Sequence, residues 1–311
     1  MPARLRDTRF ILLMLAALAL LPVFGHPSIR MVEPVREYLF VVDITQSMNV
    51  RDYTLGGRSI DRLNFVKTTL IRALPELPCG SSVGLGLFTA WQTAVLFKPI
   101  EVCRHRREID AAIRSIDWRM AWAPQSNIAR GINDALAQIS TTNGRATALV
   151  FFTDGDEAPP TDGKLPAAME TAPQKRPRGV LVGVGDRRPS AIPLYNQGGN
   201  MAGYFQRGGQ PMLSGLQENY LRKLGRGTNL DYHRLQAPED LLNPLRSGRY
   251  ANARPVNREI SWVFGAVALA LVAAAYLVTP LAAIRGLDRS LRASQPAPKA
   301  WGLFSSRRAA P

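Results

Sequence analysis

Two cysteines, three histidines and no glycine-rich phosphate loop leave this chain of 311 residues few routes to the common catalytic chemistries. His26, His105 and His233 are scattered and show no zinc-type spacing. No Gly-x-x-x-x-Gly-Lys stretch is present to cradle phosphate. Basic residues are plentiful, with a net charge of +15, but no run of Lys or Arg interleaved with aromatics stands out. That argues against a nucleic-acid-binding surface. Gly80-Ser81-Ser82-Val83-Gly84 matches the Gly-x-Ser-x-Gly elbow by residue type. Such an elbow needs a strand before it and a helix after it. Here a helical pattern precedes and a strand pattern follows, so the match is one of letters only. An aspartyl-phosphate phosphatase would carry a second Asp two residues after Asp43, where Thr45 stands. The chain is expected not to be an enzyme.

Acidic residues are scarcest at the two ends. Asp7 faces Arg4, Arg6 and Arg9 before an apolar run from Phe10 to Gly25. Near the other end, Ser261 to Ile284 carries no charge at all, and Arg285, Arg289 and Arg292 follow directly. At about 1.5 Å per residue that run spans about 36 Å, enough to cross a bilayer with tilt. Basic flanks stay in the cytoplasm. Both flanks then lie inside, and the middle of the chain lies outside. Residues 1–27 read as a signal peptide or an uncleaved N-terminal anchor, 260–284 as a transmembrane helix and 285–311 as a basic cytoplasmic tail able to touch anionic headgroups.

Export sets the redox context of Cys79 and Cys103, because disulfides persist in oxidising compartments. Ser82–Phe88 and Thr93–Phe97 read as two strands joined near Trp91-Gln92. In a hairpin centred there, Cys79 and Cys103 fall opposite one another at its open end, where a bridge can form.

Between the membrane signals the patterns alternate. A polar lead-in over 28–37 precedes a continuous apolar run, Tyr38-Leu39-Phe40-Val41-Val42, which reads as a strand covered on both faces. Met48 to Ser59 is expected to be a polar loop. Ile60–Leu74 has a helical period and is stopped by Pro75 and Pro78. Arg106–Ile116 and Ile128–Ile139 are helical patterns, Thr147–Thr153 and Gly179–Val184 buried strands, and Lys164–Thr171 a further helix. Leu213–Leu224 reads as a helix stopped by Gly225, Asn229–Leu235 as a strand and Pro238–Leu245 as a final helix. Alternation of this kind predicts an α/β fold with a Rossmann-like, doubly wound, mostly parallel sheet over residues 28–250. Ile192–Leu213, rich in Gly, Asn and Gln, breaks the alternation. It reads as a surface hairpin insertion (residues 192–213) suited to partner contact.

Three hydroxyl- or carboxylate-bearing stretches fall at the same end of such a sheet. They are Asp43-Ile-Thr45-Gln-Ser47 after the first buried strand, Ser126 at a helix start, and Thr153-Asp154-Gly155 after the next strand. Ligands bind outside the carboxyl ends of the strands in open α/β sheets. Few anionic groups with several neutral hydroxyls make a hard, oxygen-only set suited to Mg²⁺, Mn²⁺ or Ca²⁺. Asp156 and Glu157 read either as solvated loop residues or as groups that tune the field.

These three stretches together resemble the metal-ion-dependent adhesion site of von Willebrand factor type A (VWA) domains. The resemblance covers roughly Tyr38 to Leu245. It implies metal ligation by Asp43, Thr45, Ser47, Ser126 and Asp154, with Mg²⁺ foremost and Ca²⁺ or Mn²⁺ as alternatives. Thr45 stands where that family usually has Ser, and Ser126 where it usually has Thr; both keep the hydroxyl. In the family the metal is not catalytic, and its open position accepts an Asp or Glu from a partner protein. The flanking apolar segments look like the membrane-anchored bacterial type. That type includes the BatA/BatB aerotolerance-type proteins and, closer in arrangement, the MxaL and MxaC accessory proteins of periplasmic methanol dehydrogenase. The resemblance implies an inner-membrane protein with its main domain in the periplasm. Its role would be to aid maturation or metal insertion of a periplasmic enzyme such as methanol dehydrogenase, with other VWA accessory proteins as further partners; the alternatives are a Bat-type stress scaffold or a structural membrane protein with a vestigial metal site.

Overall fold

The computed structural model describes residues 8–140, 147–160, 177–196 and 198–293. Its elements, in chain order, begin with α1 (Thr8–Leu20), β1 (Ser28–Asp43), β2 (Tyr53–Leu55), β3 (Arg58–Ile60), α2 (Arg62–Ala73), β4 (Ser82–Thr89) and β5 (Gln92–Glu101). Then come α3 (Arg106–Ser115), α4 (Ile128–Ser140), β6 (Ala148–Thr153), β7 (Gly179–Val184), β8 (Ser190–Ala191), β9 (Pro193–Tyr195) and β10 (Met201–Tyr204). The chain continues through β11 (Gln206–Arg207), β12 (Gln210–Pro211), β13 (Leu213–Ser214), α5 (Glu218–Thr228), β14 (Leu230–Leu235), α6 (Leu242–Arg246), β15 (Ala251–Glu259) and α7 (Ser261–Ala293). The helix expected over Lys164–Thr171 lies outside the described residues. Two compact units result: residues 32–256, and the terminal stretches 1–31 and 257–311.

The larger unit is organised on β1. Its apolar run pairs in parallel with β4 on one side and β6 on the other. The sheet order is β14-β7-β6-β1-β4-β5, with β4/β5 the antiparallel pair and β15 also pairing with β1. Side chains alternate along a strand. Tyr38, Phe40 and Val42 therefore enter one core with Phe152, Val182 and Val150, while Leu39 and Val41 enter another with Leu149, Phe151 and Leu181. Helices α2 and α3 close the first face through Leu63, Phe65, Val66, Leu70, Ile109 and Ile113. Helices α4 and α5 close the second through Ile128, Ile132, Leu136, Leu221 and Leu224. A run apolar at every position needs both faces covered, and the helices on either side supply that cover. The expected α/β, doubly wound, mostly parallel architecture is the observed one.

Close approach of α4 to the sheet depends on Gly131, where an added Cβ would lie 2.2 Å from the Phe88 ring. Cys79 and Cys103 form the disulfide expected of them, with Cα atoms 5.3 Å apart. The hairpin that carries them turns one residue earlier than the spacing suggests. Register slips around Leu85 leave Thr89 opposite Gln92, and Ala90 takes a positive φ of 60° at the turn.

Several expectations are corrected. The lead-in over 28–37 is already strand, part of the long β1. The polar loop Met48–Ser59 contains a hairpin, β2/β3, around Gly56-Gly57, whose φ values of 57° and 77° fit a tight two-residue turn. The insertion at 192–213 is not one hairpin but small ladders: β9/β10, β11/β12 and β8/β13. Helix α5 starts at Glu218, five residues later than the pattern suggests, and runs through Gly225 to Thr228. Asn229, at φ 62°, ends it in the left-handed conformation. Gly225 serves packing instead, since a Cβ there would lie 2.7 Å from the Leu230 carbonyl. The final helix begins as a 3₁₀ turn over Pro238–Leu241 before α6.

In the terminal unit, α1 packs along α7, and the Arg9 guanidinium sits 4.7 Å from the centre of the Tyr276 ring. Among the described residues one helical stretch, Thr8–Gly25, is long and apolar enough to cross a bilayer by length and composition. The described apolar part of α7, Ser261–Leu277, is shorter. The helix itself takes in the whole uncharged run 261–284. Leu18, Leu21, Phe24, Trp262 and Leu269 are exposed, an arrangement that suits lipid better than water.

Candidate metal centre

Strands β1, β4 and β6 end together, and the loops beyond them bring the carboxylates and hydroxyls to one place. Asp43, the last residue of β1, is fully buried. Its Oδ1 accepts the Thr45 backbone N–H at 2.9 Å and the Thr45 hydroxyl at 2.7 Å. Its Oδ2 accepts the Thr153 hydroxyl at 2.7 Å, which ties the end of β6 to the end of β1. The Thr45 and Ser47 hydroxyl oxygens are 3.2 Å apart, as their alternate spacing predicts. Burial first, then the Asp154 carboxylate, pushes the pKa of Asp43 up to about 7.

Ser126 arrives by a separate route. Its backbone is clamped in two directions: Ala90 donates to Gln125 O and Asn127 donates to Ala90 O, while Ser126 and Ala158 exchange two bonds of 2.9 Å. The cap of α4 is provided by Asn127, whose side chain accepts the Arg130 N–H at 3.0 Å. The Ser126 hydroxyl is thereby spared from capping. It is 3% exposed, and its oxygen has no partner among the described residues. Thr45, Ser47 and Ser126 line the same cleft of ≈ 520 Å³, together with Asp156 and Glu157. Its outer wall is apolar, with Ile192, Phe205, Met212 and Leu213 from the insertion, and Arg207 stands at it.

Asp154 sits apart from this hydroxyl floor in one respect. Its Oδ2 accepts Arg62 Nη1 at 2.6 Å and the Ser214 hydroxyl at 3.1 Å, and its Oδ1 accepts the Asp156 N–H at 2.9 Å. Arg62 is fully buried and forks to a second carboxylate, Asp52, through Nη2 at 2.6 Å and Nε at 3.0 Å. Gly185, at φ 111°, makes the room: a Cβ there would lie 2.6 Å from Arg62 Nε. Arg62, Asp52 and Ser214 were not legible as site residues. The available signal was an arginine in the first turn of a helix, where the dipole disfavours a cation unless acids hold it.

Glu157 also departs from the solvated-loop reading. It is 7% exposed, its Oε1 accepts the Tyr220 hydroxyl at 2.5 Å and the Ala129 N–H at 3.4 Å, and burial raises its pKa. Its Oε2 has no partner among the described residues. Asp156 is half-buried, and burial together with Asp154 pushes its pKa up to about 6.

Of the five residues named from the sequence, the structure joins Asp43, Thr45 and Ser47 by direct hydrogen bonds and links Asp154 to them through its neighbour Thr153. It sets Ser126 in the cleft beside Thr45 and Ser47. A divalent cation fits this donor set: the buried Ser126 oxygen lacks a partner among the described residues, and Asp43 carries an ionisation penalty that a cation would relieve.

Residues 38–157 match the family model of the von Willebrand factor type A domain. No curated protein matches the chain in sequence. Among solved structures, the chain is similar in fold to an aerotolerance-related membrane protein of Bacteroides fragilis NCTC 9343, at 20% identity and a TM-score of 0.56, covering 69% of this chain and 98% of that one. BatB of Bacteroides thetaiotaomicron is similar at 20% identity and a TM-score of 0.53, covering 68% and 100%. The strand order and the sheet covered on both faces are those of a von Willebrand factor type A fold, and the family match covers residues 38–157 of the chain.

Proposed function

We propose that the chain is a membrane-anchored, non-catalytic binding protein whose VWA domain faces the periplasm and captures a carboxylate of a partner protein through a divalent cation. The observation that carries this reading is the buried Ser126 hydroxyl, without a partner among the described residues, in a cleft that Thr45 and Ser47 also line. Asp43, Thr45, Ser47 and Ser126 would hold the cation, foremost Mg²⁺ and otherwise Ca²⁺ or Mn²⁺, with Asp154 behind them. A bound cation supplies an open, electrophilic position that an incoming Asp or Glu fills. Asp43 contributes the negative charge, and the hydroxyls orient oxygen lone pairs without adding more. The apolar wall from Ile192, Phe205 and Met212 excludes water around that position and offers the partner a surface to bury.

The partner class follows the sequence resemblance. The arrangement of segments fits an accessory protein that aids maturation or calcium insertion of a periplasmic enzyme of the methanol dehydrogenase kind. A Bat-type aerotolerance scaffold is the second reading, favoured by the fold likeness to the two Bacteroides proteins. The test is isothermal titration of Mg²⁺, Ca²⁺ and Mn²⁺ into the full chain in detergent, followed by binding of candidate clients with and without EDTA. Metal binding that is lost in Asp43→Ala, and client binding that needs the metal, would support the reading. Client binding indifferent to EDTA would move the interface away from this cleft.

A further inference from the structure

Two buried oxygens in the cleft lack a hydrogen-bond partner among the described residues, and the sequence pattern points to only one of them. Ser126 Oγ belongs to the expected ligand set; Glu157 Oε2 does not. Buried polar atoms are nearly always paired, so each atom left unpaired among the described residues is a candidate position for a ligand or a water. For a carboxylate oxygen the cost of standing unpaired is larger than for a hydroxyl.

The backbone fixes the two near each other. Ser126 and Ala158 exchange paired backbone hydrogen bonds, and Glu157 directly precedes Ala158. Both side chains line the cleft with Thr45 and Ser47. Glu157 is held from behind: its Oε1 accepts the Tyr220 hydroxyl and the Ala129 N–H at the start of α4. Anchoring one oxygen and leaving the other to the cleft is how a metal-binding carboxylate is oriented by its hydrogen bonds. Asp154 has its charge met by Arg62, whereas Asp43 accepts only from neutral hydroxyls and a backbone N–H.

We infer that Glu157 is a further ligand of the divalent cation, direct or through one water, its Oε2 completing with Ser126 Oγ the side of the site away from Asp43. The negative charge at the ion then comes from Asp43 and Glu157, while the Asp154 charge is spent on Arg62. An additional anionic oxygen makes the ion less electrophilic towards a partner carboxylate and suits the larger shell of Ca²⁺ better than the strict octahedron of Mg²⁺.

This inference rests on the cation reading above, and the experiment separates the two. Mn²⁺ is titrated into the full chain in detergent, with free Mn²⁺ read by electron paramagnetic resonance, for wild type, Glu157→Gln and Tyr220→Phe. Metal-free thermal unfolding checks each fold. The expected result is a Kd raised at least about tenfold in Glu157→Gln and a smaller rise in Tyr220→Phe, which keeps the carboxylate and loses the hydroxyl that orients it. Competition with Ca²⁺ and Mg²⁺ should show Ca²⁺ affinity falling more than Mg²⁺ affinity in Glu157→Gln. An unchanged Kd in a folded Glu157→Gln overturns the inference and leaves the cation site standing. No Mn²⁺ bound to wild type removes both. If Glu157→Gln does not fold, Glu157→Asp decides, because it keeps the charge and withdraws the oxygen: weakened binding supports ligation, and unchanged binding overturns it.

Discussion

At Arg62 the first turn of α2 carries a cation where the helix dipole disfavours one, and two acids on different elements hold it there. Asp52 and Asp154 both contact its guanidinium, and all three side chains are buried. Removing one partner of a buried ion pair leaves the other uncompensated and costs about 3–5 kcal/mol. Arg62→Met should therefore destabilise the metal-free protein by that amount in urea unfolding. A loss below about 1 kcal/mol would show that the two acids do not depend on Arg62. Asp43 predicts a pH dependence of opposite origin. Its pKa is raised to about 7, so the folded state holds a proton that the unfolded state has already released above about pH 4. Stability from this group is present below that range and is lost as pH rises towards 7. A cation replaces the proton. Mg²⁺ at a fixed concentration of 100 times its pH 8 Kd stabilises by about 2.7 kcal/mol at pH 8, and the shift in Tm at that same concentration should be smaller at pH 5, where protonation of Asp43 weakens binding. Equal shifts at both pH values would disconnect Asp43 from the metal.

The elements explain why the site exists at all. β1 brings Asp43 to its end because Tyr38 to Val42 must be covered on both faces, which fixes its place in the middle of the sheet. β4 and β6 flank it, so their exits deliver Ala90 with Ser126, and Thr153 with Asp154, to one edge. The β4/β5 pair is stapled at its open end by Cys79–Cys103, which closes a separation of 24 residues. Replacing both cysteines with alanine should lower stability by about 2–4 kcal/mol, read by thermal unfolding with and without reductant, the reductant having no further effect on the variant. β4 and β5 were legible as a hairpin because their apolar residues are continuous. The turn position was not, since register slips around Leu85 leave no mark in residue types. Likewise the start of α5 was misplaced, because Leu213 and Leu216 fit a helical period while tertiary pairing draws 213–214 into a strand with β8.

For the whole molecule, the charge asymmetry of the flanks predicts that residues 32–256 lie outside the cytoplasm. Protease added to spheroplasts should digest that unit and leave the C-terminal flank protected. Protection of the whole chain would reverse the topology. The same orientation would account for the disulfide, since a bridged pair suits an oxidising compartment.

By itself the sequence determined the alternation of strands and helices, the end of β1 on Asp43, the hydroxyls two residues apart, the cysteine pair and the uncharged terminal runs. These are local or periodic signals, and hydrophobic periodicity records which faces must be buried. Only the tertiary structure decided that Arg62 reaches Asp154 across 92 positions, that Gly185 leaves space for its guanidinium, and that Asn127 caps α4 so that the Ser126 hydroxyl stays unpaired. It also decided that Glu157 is buried with one oxygen held and the other without a partner among the described residues. Charge balance at a buried site depends on distances between segments remote in the chain, and residue order does not encode those distances in any local pattern.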